Sequence, residues 1–333
     1  MSAANEFAKL AYEAVLRRPP TPSELSLVIN KMTNGDSPGD VLARLLNSKE
    51  AQRYKSRLFV PPGHFYSPVV DTQIIAATFP RVRPTPPSSL PDVDIDLDGM
   101  TRFWQEQIAP ISKTATFSAE PDGLHRYHYN NPAYSYADGT ILRAMICLHR
   151  PKRIIEVGSG WSSACILDTV DECKLDTEIT FIEPNLRLLQ SVMREEDVSR
   201  VAIIESGVQS VPLAVFESLE RNDILFIDST HVVKTGSDVV YELAQILPRL
   251  QSGVIIHFHD IFYPFEYPYK WVVEQNRSWN EIYAVRNFLA FNNQFKVLFF
   301  NDMFYQLRRR TLELDCPDFL KNSGGALWLH RVG

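Results

Sequence analysis

A short turn in the middle of the chain has residue types that could bind a ligand. Residues 156–160 read EVGSG and follow a short apolar run of strand character. Gly158 and Gly160 leave the backbone open to a ligand because no Cβ intervenes, and the serines at 162 and 163 are suited to cap a helix. The sequence therefore predicts a strand, a tight turn and a helix start, with a nucleotide-like ligand across the carboxyl end of the strand.

The residues around this turn disfavour a dinucleotide. A dinucleotide site has the pattern G-x-G-x-x-G and holds a pyrophosphate at the helix N-terminus. Ser163 stands where the third glycine would be, and Glu156 comes just before the turn. A carboxylate there would repel the pyrophosphate.

Further binding residues are expected at the ends of the next two strands. The segment TEITFIE predicts a second strand that ends at Glu183, one strand away from the glycine turn. A carboxylate at that position can accept both hydroxyl protons of a ribose diol. In the loop after the third strand, Gln209 could bond an adenine edge or be an ordinary loop amide.

Polar residues also follow the apolar runs DILFID and GVIIHF. Asp228 ends the first run and His231 lies three residues later, while His259 and Asp260 follow the second run. Parallel sheets bind ligands at the carboxyl ends of their strands, so we expect these four side chains near the glycine turn. His257 shares a face with His259 and is either part of this group or a structural histidine.

The EVGSG pattern resembles motif I of the class I S-adenosyl-L-methionine (SAM)-dependent methyltransferases, whose ligand carries a sulfonium and an ammonium and no phosphate. Residues 223–268 are similar to the methyltransferase-24-like group, and the resemblance covers most of residues 125–331. It implies an α/β fold with a Rossmann-like seven-stranded sheet whose last strand is antiparallel. The cofactor-binding residues that we expect are Glu156, Gly158, Ser159, Gly160, Glu183, Gln209 and Asp228.

The same resemblance suggests roles for the polar residues. Methyl transfer to a hydroxyl requires alignment of the acceptor and removal of its proton, which suits a histidine. We hypothesise that His259 or His231 is the general base and that Asp228 or Asp260 orients it. Some related enzymes bind a divalent metal at these strand ends, and the corresponding set here would be Asp228, His259 and Asp260, in which a histidine departs from the oxygen ligands that magnesium prefers.

Three regions are expected along the chain. Residues 1–58 predict a small all-α unit that resembles a bacterial helical module related to phycobilisome-linker repeats. It brings no catalytic residue, and a protein partner could bind there. Residues 59–96 are a proline-rich connector in which helices and central strands are disfavoured. Residues 97–333 form the expected methyltransferase domain.

Composition excludes several classes of partner. The chain has 333 residues, a net charge of −6 and a pI near 5.8, which argue against a nucleic-acid binder. Its apolar runs are strand-sized, so no membrane span is expected, and the first residues do not resemble a secretion signal. Cys147, Cys165, Cys173 and Cys316 lack metal-binding spacing and predict free thiols in a reducing cytoplasm.

The sequence thus favours a SAM-dependent O-methyltransferase that acts on a hydroxyl of a small-molecule or saccharide acceptor. Two alternatives remain open. One is a nucleotide-sugar or NAD-dependent enzyme, and the other is a non-catalytic SAM-binding or scaffold protein in which the helical module carries the function.

Overall fold

A computed structural model describes residues 3–16, 18–55, 59–82 and 85–333. The chain divides into two compact units, Met1–Ile75 and Ala76–Gly333.

The first unit is helical. Thr21 and Ser37 begin two of its helices with reciprocal caps: the Thr21 hydroxyl accepts from the backbone N–H of Glu24, and the Glu24 carboxylate accepts from the backbone N–H of Thr21 at 2.7 Å. Ser37 and Asp40 make the same pair. The helices are α1 Ala3–Leu16, α2 Pro22–Thr33, α3 Pro38–Leu46 and α4 Lys49–Lys55. They close over a small core formed by Ala8, Ala11, Tyr12, Leu16, Val28, Val41, Leu45 and Ala51. The resemblance of this unit to phycobilisome-linker repeats stays a prediction.

The proline-rich segment contains a helix, so the expectation that its prolines break all helical structure is wrong. Helix α5 spans Thr72–Val82. The Asp71 carboxylate accepts from the backbone N–H of Gln73 at 2.9 Å and so opens the helix. No proline stands between Pro68 and Pro80, which leaves enough chain for helical turns, and Pro80 comes only near the end.

The second unit contains one seven-stranded sheet. Its strands are β1 Arg153–Val157, β2 Glu178–Ile182, β3 Val201–Ile204, β4 Ile224–Ile227, β5 Ile255–Phe258, β6 Phe295–Phe300 and β7 Leu327–Arg331. Their order is β3-β2-β1-β4-β5-β7-β6. Strands β1 to β5 pair in parallel, and β7 runs antiparallel between β5 and β6. The fold class expected from the sequence is confirmed.

Ten α-helices connect and flank these strands in the described part of this unit. They are α6 Leu97–Phe103, α7 Ala109–Ser112, α8 Tyr136–His149, α9 Trp161–Glu172, α10 Arg187–Val192, α11 Leu213–Glu217, α12 Asp238–Tyr241, α13 Glu281–Leu289, α14 Asn301–Leu307 and α15 Arg309–Asp315. Within the described ranges, no helix has the length and apolar character needed to cross a membrane.

A glycine turn allows the last strand to enter the sheet. Gly324 has φ of +64°, and a Cβ there would lie 2.1 Å from an oxygen of Asp138. The next residue, Gly325, accepts a hydrogen bond from the backbone N–H of Ile261 at 2.7 Å. The start of β7 is therefore fixed against the loop that follows β5.

Arg126 fixes the polar loop that precedes α8. Its buried guanidinium donates to Asp168 and Asp197 at 2.7 Å. Asp168 also accepts from the backbone N–H of Tyr127, whose hydroxyl donates to the carbonyl of Tyr134 at 2.8 Å. Because buried charges are tolerated only when they are paired, this network ties the loop to α9 and places Tyr134.

A disulfide bond joins Cys147 to Cys173. The prediction of four free thiols is therefore wrong for this pair, whereas Cys165 and Cys316 are free. The two bonded cysteines are 26 residues apart in sequence, and their Cα atoms are 6.2 Å apart because the ends of α8 and α9 lie side by side. Residue spacing along the chain does not reveal that packing.

Candidate active site

The glycine turn is pressed against the end of β4. Gly158 has φ of +81°, and a Cβ there would lie 1.8 Å from the backbone carbonyl oxygen of Asp228. The backbone N–H of Asp228 donates to Val157 at 2.8 Å, and that of Gly158 donates to Ile182 at 3.0 Å. The ends of β1, β2 and β4 therefore meet at this glycine, and no other residue type fits there without movement of the backbone.

Glu156 lies behind the turn and supports it. The side chain is fully buried, and one carboxylate oxygen accepts from the Ser163 hydroxyl, which in turn accepts from the backbone N–H of Gly160 at 2.9 Å. The other oxygen has no hydrogen-bond partner among the described residues. Burial raises the pKa of Glu156 to about 8. Glu156 does not line the cavities described below, so its contribution is to hold the turn in shape.

Glu183 lies beside the turn, at the end of β2. One of its carboxylate oxygens accepts from the backbone N–H of Ser159 at 3.1 Å, and the other accepts from that of Asn185 at 2.8 Å. These bonds fix the carboxylate at the edge of the sheet. Each oxygen retains a lone pair for a ligand hydroxyl.

Two cavities share Gly158, Glu183 and Asp228. One, the Gln209 cavity, has a volume of about 180 Å³. The other, the Tyr134 cavity, has a volume of about 150 Å³. The Gln209 cavity is further lined by Val157, Ile182, Pro184, Gly207, Val208, Gln209, Ser229, Thr230 and Asp238. The Tyr134 cavity is further lined by Ala133, Tyr134, Ser159, Gly160, Trp161, Ser162 and Leu188.

The charged side chains that line these cavities are all acidic. Glu183, Asp228 and Asp238 line them, and none of the described residues that line either cavity is basic. Gln209 donates a hydrogen bond from its amide to the carbonyl of Gly236 at 3.1 Å, which orients its oxygen. A ligand with positive charge and no phosphate is therefore favoured by electrostatics.

The imidazole of His231 lies close to three carboxylates, those of Asp228, Asp260 and Glu281. Nδ1 of His231 is 2.7 Å from Glu281, while Nε2 is 3.4 Å from Asp228 and 3.5 Å from Asp260. Burial opposes a charge on His231, but the bonds to Asp228 and Glu281 outweigh it and raise its pKa well above the usual value. The three neighbouring carboxylates therefore favour the protonated form of His231.

His259 lies on the other side of Asp260. Its Nε2 is 3.4 Å from the Asp260 carboxylate, and its ring centroid is 5.1 Å from that of Tyr134. Burial lowers its pKa, but the charges of Asp260, Asp228 and Asp138 exceed that effect and raise it overall. Burial also raises the pKa of Asp260, although the two imidazoles act against this shift. The structure thus brings together all four residues expected to be catalytic.

Two residues of this cluster also have unusual backbone angles. His231 has φ of +60° and Asp260 has φ of +58°, a region that residues other than glycine rarely adopt. The carbonyl of His231 accepts from the backbone N–H groups of Asn280 and Glu281, both at 3.1 Å, which hold the strained residue in place. Such strain is concentrated at functional sites.

His257 is a structural residue. Its ring stacks on Phe226 with centroids 3.9 Å apart, and both ring nitrogens are buried without a hydrogen-bond partner among the described residues. Burial lowers its pKa well below the usual value. His257 therefore packs in the sheet as a neutral ring.

The alternative of a metal ion finds no support in the side-chain arrangement. Within the described residues, no group of three or more His, Cys, Asp or Glu side chains could hold a metal ion. A metal ion bound by Asp228, His259 and Asp260 stays a prediction.

Several site residues were not foreseen from the sequence. Glu281 is 50 positions from its partner His231 and carries no local motif. Glu242 is fully buried and accepts from the Ser229 hydroxyl at 3.1 Å. Trp279 lies with its ring centroid 4.4 Å from that of His231. In the sequence, only Glu281 at the start of α13 and the aromatic residues just before it hint at this side of the site.

We expect Gly158→Ala to lower the free energy of unfolding by about 2–5 kcal/mol, because the new Cβ meets backbone at a positive φ. Urea unfolding followed by circular dichroism measures this loss. Gly160→Ala is the control, since its φ of −178° is extended and its Cβ would meet only the flexible end of Leu188. Equal losses in the two variants would contradict this account of the turn.

Glu156→Gln should flatten the pH dependence of stability between about pH 4.5 and 8. The pKa of Glu156 is about 8 in the folded protein, against an ordinary value of 4.5. The folded state therefore keeps a proton that the unfolded state releases, so stability falls with rising pH by at most about 1.4 kcal/mol per unit. Glutamine cannot ionise and removes this contribution. Urea unfolding across the window tests it, with exposed Glu178→Gln as the control; identical slopes in wild type and Glu156→Gln would refute it.

Comparison with known proteins adds a family match. Residues 155–261, about a third of the chain, match the family model described as a methyltransferase domain. A protein of Archaeoglobus fulgidus described as uncharacterized is 27% identical over 186 residues, which cover 54% of this chain and 82% of that protein.

Solved structures show only distant similarity. The SAH-bound Podospora anserina methyltransferase PaMTH1 is 15% identical with a TM-score of 0.38, over 83% of this chain and 99% of that chain. The O-methyltransferase TomG from Streptomyces achromogenes, involved in tomaymycin synthesis and solved with SAM, is 14% identical with a TM-score of 0.37, over 72% and 92% of the two chains. At this distance neither indicates what this chain binds. The segment that matches the methyltransferase-domain model contains Glu156 to Asp260, and with them every site residue expected from the sequence.

Proposed function

We propose that this protein is a SAM-dependent O-methyltransferase. The observation that carries the proposal is the pair of cavities that share Gly158, Glu183 and Asp228, which are lined by three carboxylates and by no basic residue among those described. SAM is a nucleoside without phosphate in which a sulfonium and an ammonium outweigh one carboxylate, so its net positive charge complements this lining. The methyltransferase-domain match over residues 155–261 supports the same class.

The residues present suit the parts of SAM. Glu183 would accept hydrogen bonds from the ribose diol, and the Gln209 cavity would hold the adenine. The Tyr134 cavity would hold the amino-acid end beside Ser159 and Gly160. NAD is disfavoured because its pyrophosphate would lie against Glu183 and Asp228 without a compensating cation.

The polar cluster around His231 would receive the acceptor. The acceptor oxygen attacks the methyl carbon of SAM, the carbon–sulfur bond breaks, and its electron pair stays on sulfur to give S-adenosylhomocysteine. The hydroxyl proton must leave to a nearby base. The main task of such a site is to align the acceptor oxygen, the methyl carbon and the sulfur.

Asp260 is the best-placed base in this cluster. The pKa values of His231 and His259 are both raised, which favours their protonated forms over the neutral imidazole that a base requires. The carboxylate of Asp260 lies between them, and its raised pKa makes it a stronger base than an ordinary aspartate. His231, held by Glu281 and Asp228, would stabilise the charge on Asp260. The hypothesis of a histidine base stays as the alternative.

The acceptor is proposed to be a small molecule or a saccharide, and the helical unit is proposed to bind a protein partner. A cytoplasmic location is also proposed, in which the bond between Cys147 and Cys173 would be an exception to the reduced state of most cytosolic cysteines.

The full chain should bind SAM and S-adenosylhomocysteine in calorimetry and should not bind NAD. Glu183→Gln should weaken SAM binding about tenfold or more, because hydrogen bonds to a charged group contribute about 1.5–3 kcal/mol. Glu178→Gln, on the same strand with an exposed side chain, is the matched control. NAD binding at similar affinity, or unchanged SAM affinity in Glu183→Gln, would overturn the assignment.

Asp260→Asn should lower kcat by about 10²–10⁴, the usual contribution of a general base, while SAM affinity stays within about twofold. A panel of hydroxylated small molecules and saccharides, followed by release of S-adenosylhomocysteine, supplies the acceptor and the rate. If a histidine were the base, the rate would instead rise with pH through the raised pKa of His231 and be lost in His231→Gln. A panel without any turnover despite SAM binding would favour the non-catalytic alternative.

A further inference from the structure

Arg277 lies on an aromatic platform at the edge of the catalytic cluster. Its guanidinium carbon is 4.3 Å from the ring centroid of Trp271 and 4.6 Å from that of Trp279. The backbone N–H of Arg277 donates to the carbonyl of Trp271 at 2.8 Å. Both ends of the residue are therefore held, and the planar cation rests over aromatic faces.

The platform itself is rigid. The rings of Trp271 and Trp279 meet edge to face with centroids 5.5 Å apart. Buried Tyr267 packs against both rings, and Phe262 meets Trp271 edge to face at 5.1 Å. Aromatic pairs of this geometry stabilise a fixed arrangement. Arg277 therefore has a defined position before any ligand arrives.

The platform lies next to His231 and Asp260, two of the proposed catalytic residues. The ring centroid of Trp279 is 4.4 Å from that of His231, whose Nε2 lies 3.5 Å from Asp260. Phe262, at the other side of the platform, is only two residues beyond Asp260. The charge of Arg277 also lowers the pKa of Asp260 to a small extent. A molecule in contact with Asp260 would lie within reach of the platform.

The hydrogen-bonding edge of Arg277 is unused. Among the described residues its guanidinium makes no hydrogen bond and no ion pair, although the unit is rich in carboxylates. Other partly or fully buried arginines of the same unit are paired: Arg126 with Asp168, Arg143 with Glu172 and Arg286 with Asp92. Arg277 has five N–H donors in a planar fork that matches a carboxylate.

We propose that Arg277 binds a carboxylate carried by the methyl acceptor, so that the acceptor is a hydroxylated carboxylic acid. This inference rests on the proposed methyltransferase function. The ring faces of Phe262 and Trp271 would contact the carbon body of the acceptor, and its hydroxyl would face Asp260. Arg277 is thus a specificity residue and takes no part in the transfer step.

A carboxylate fits better than a phosphate. Asp228, Asp260 and Glu281 all lie within 3.5 Å of His231, and Asp260 also lies 3.4 Å from His259, so several carboxylates stand close to the proposed acceptor position. A dianionic group would be repelled more strongly by these carboxylates than a single negative charge. One guanidinium fork also matches the two oxygens of one carboxylate.

Ligand-observed NMR with the full chain tests this site without any transfer reaction. The probes are 4-hydroxybenzoate, the neutral isostere 4-hydroxybenzamide and phenyl phosphate, each measured with and without SAM. We expect 4-hydroxybenzoate to bind at least about tenfold more tightly than the amide, since hydrogen bonds between charged groups are the strong ones. Arg277→Gln should reduce this preference to within about twofold, and Arg277→Lys should retain part of it because charge remains while the fork is lost.

Arg309→Gln is the matched control, because Arg309 at the start of α15 also lies over an aromatic ring, that of Tyr305 on α14. It should leave the preference unchanged. No binding of 4-hydroxybenzoate, a preference that survives in Arg277→Gln, or tighter binding of phenyl phosphate would overturn the inference. If SAM does not bind but the preference for the carboxylate depends on Arg277, the proposed methyltransferase function fails while the anion site stands.

Discussion

The carbonyl oxygen of Asp228 lies where any side chain at position 158 would have to be. This contact brings the ends of β1 and β4 closer together than two ordinary residues allow, and Ile182 at the end of β2 is hydrogen-bonded to the same glycine. Glu183 and Asp228 are the residues that follow these strands, so their carboxylates necessarily lie around one hollow. Binding and chemistry at this edge both depend on that approach.

The site contains several carboxylates whose protonation depends on different neighbours: burial in one case and nearby histidines in the others. Glu156 is protonated over much of the neutral range because it is fully buried, and it serves the turn through Ser163. Asp228 and Asp260 both lie near the imidazole of His231, which is itself held by Glu281 from α13. Burial alone would neutralise these acids, whereas the histidines keep negative charge available next to the cavities. A cationic donor and a proton-accepting group can therefore operate a few ångströms apart.

The sequence predicts the glycine turn, the alternation of strands and helices, and the acids at the strand ends, because each depends on local residue order. Gly158 and Glu183 lie together as expected, and Gly324 makes the reversal before β7. The position of Glu156 behind the turn, instead of in the cavity, depends on packing that residue order does not describe.

Other features depend on contacts between distant segments. Glu281 and Trp279 reach His231 only because α13 docks on the loop after β4. The helix α5 within the proline-rich segment was missed for a local reason, and the bond between Cys147 and Cys173 was missed because it depends on packing. In the first case the spacing of individual prolines matters more than their density, and in the second the packing of α8 on α9 brings the sulfur atoms together.

The bond between Cys147 and Cys173 turns the central part of the domain into a covalent ring. The ring contains β1, the glycine turn and the whole of α9, and its closure lies where α8 and α9 end. A protease that cut once within this ring would leave both fragments attached until the sulfurs were reduced. The backbone that presents Gly158 is in this way anchored on both flanks, independently of the hydrogen bonds of the sheet.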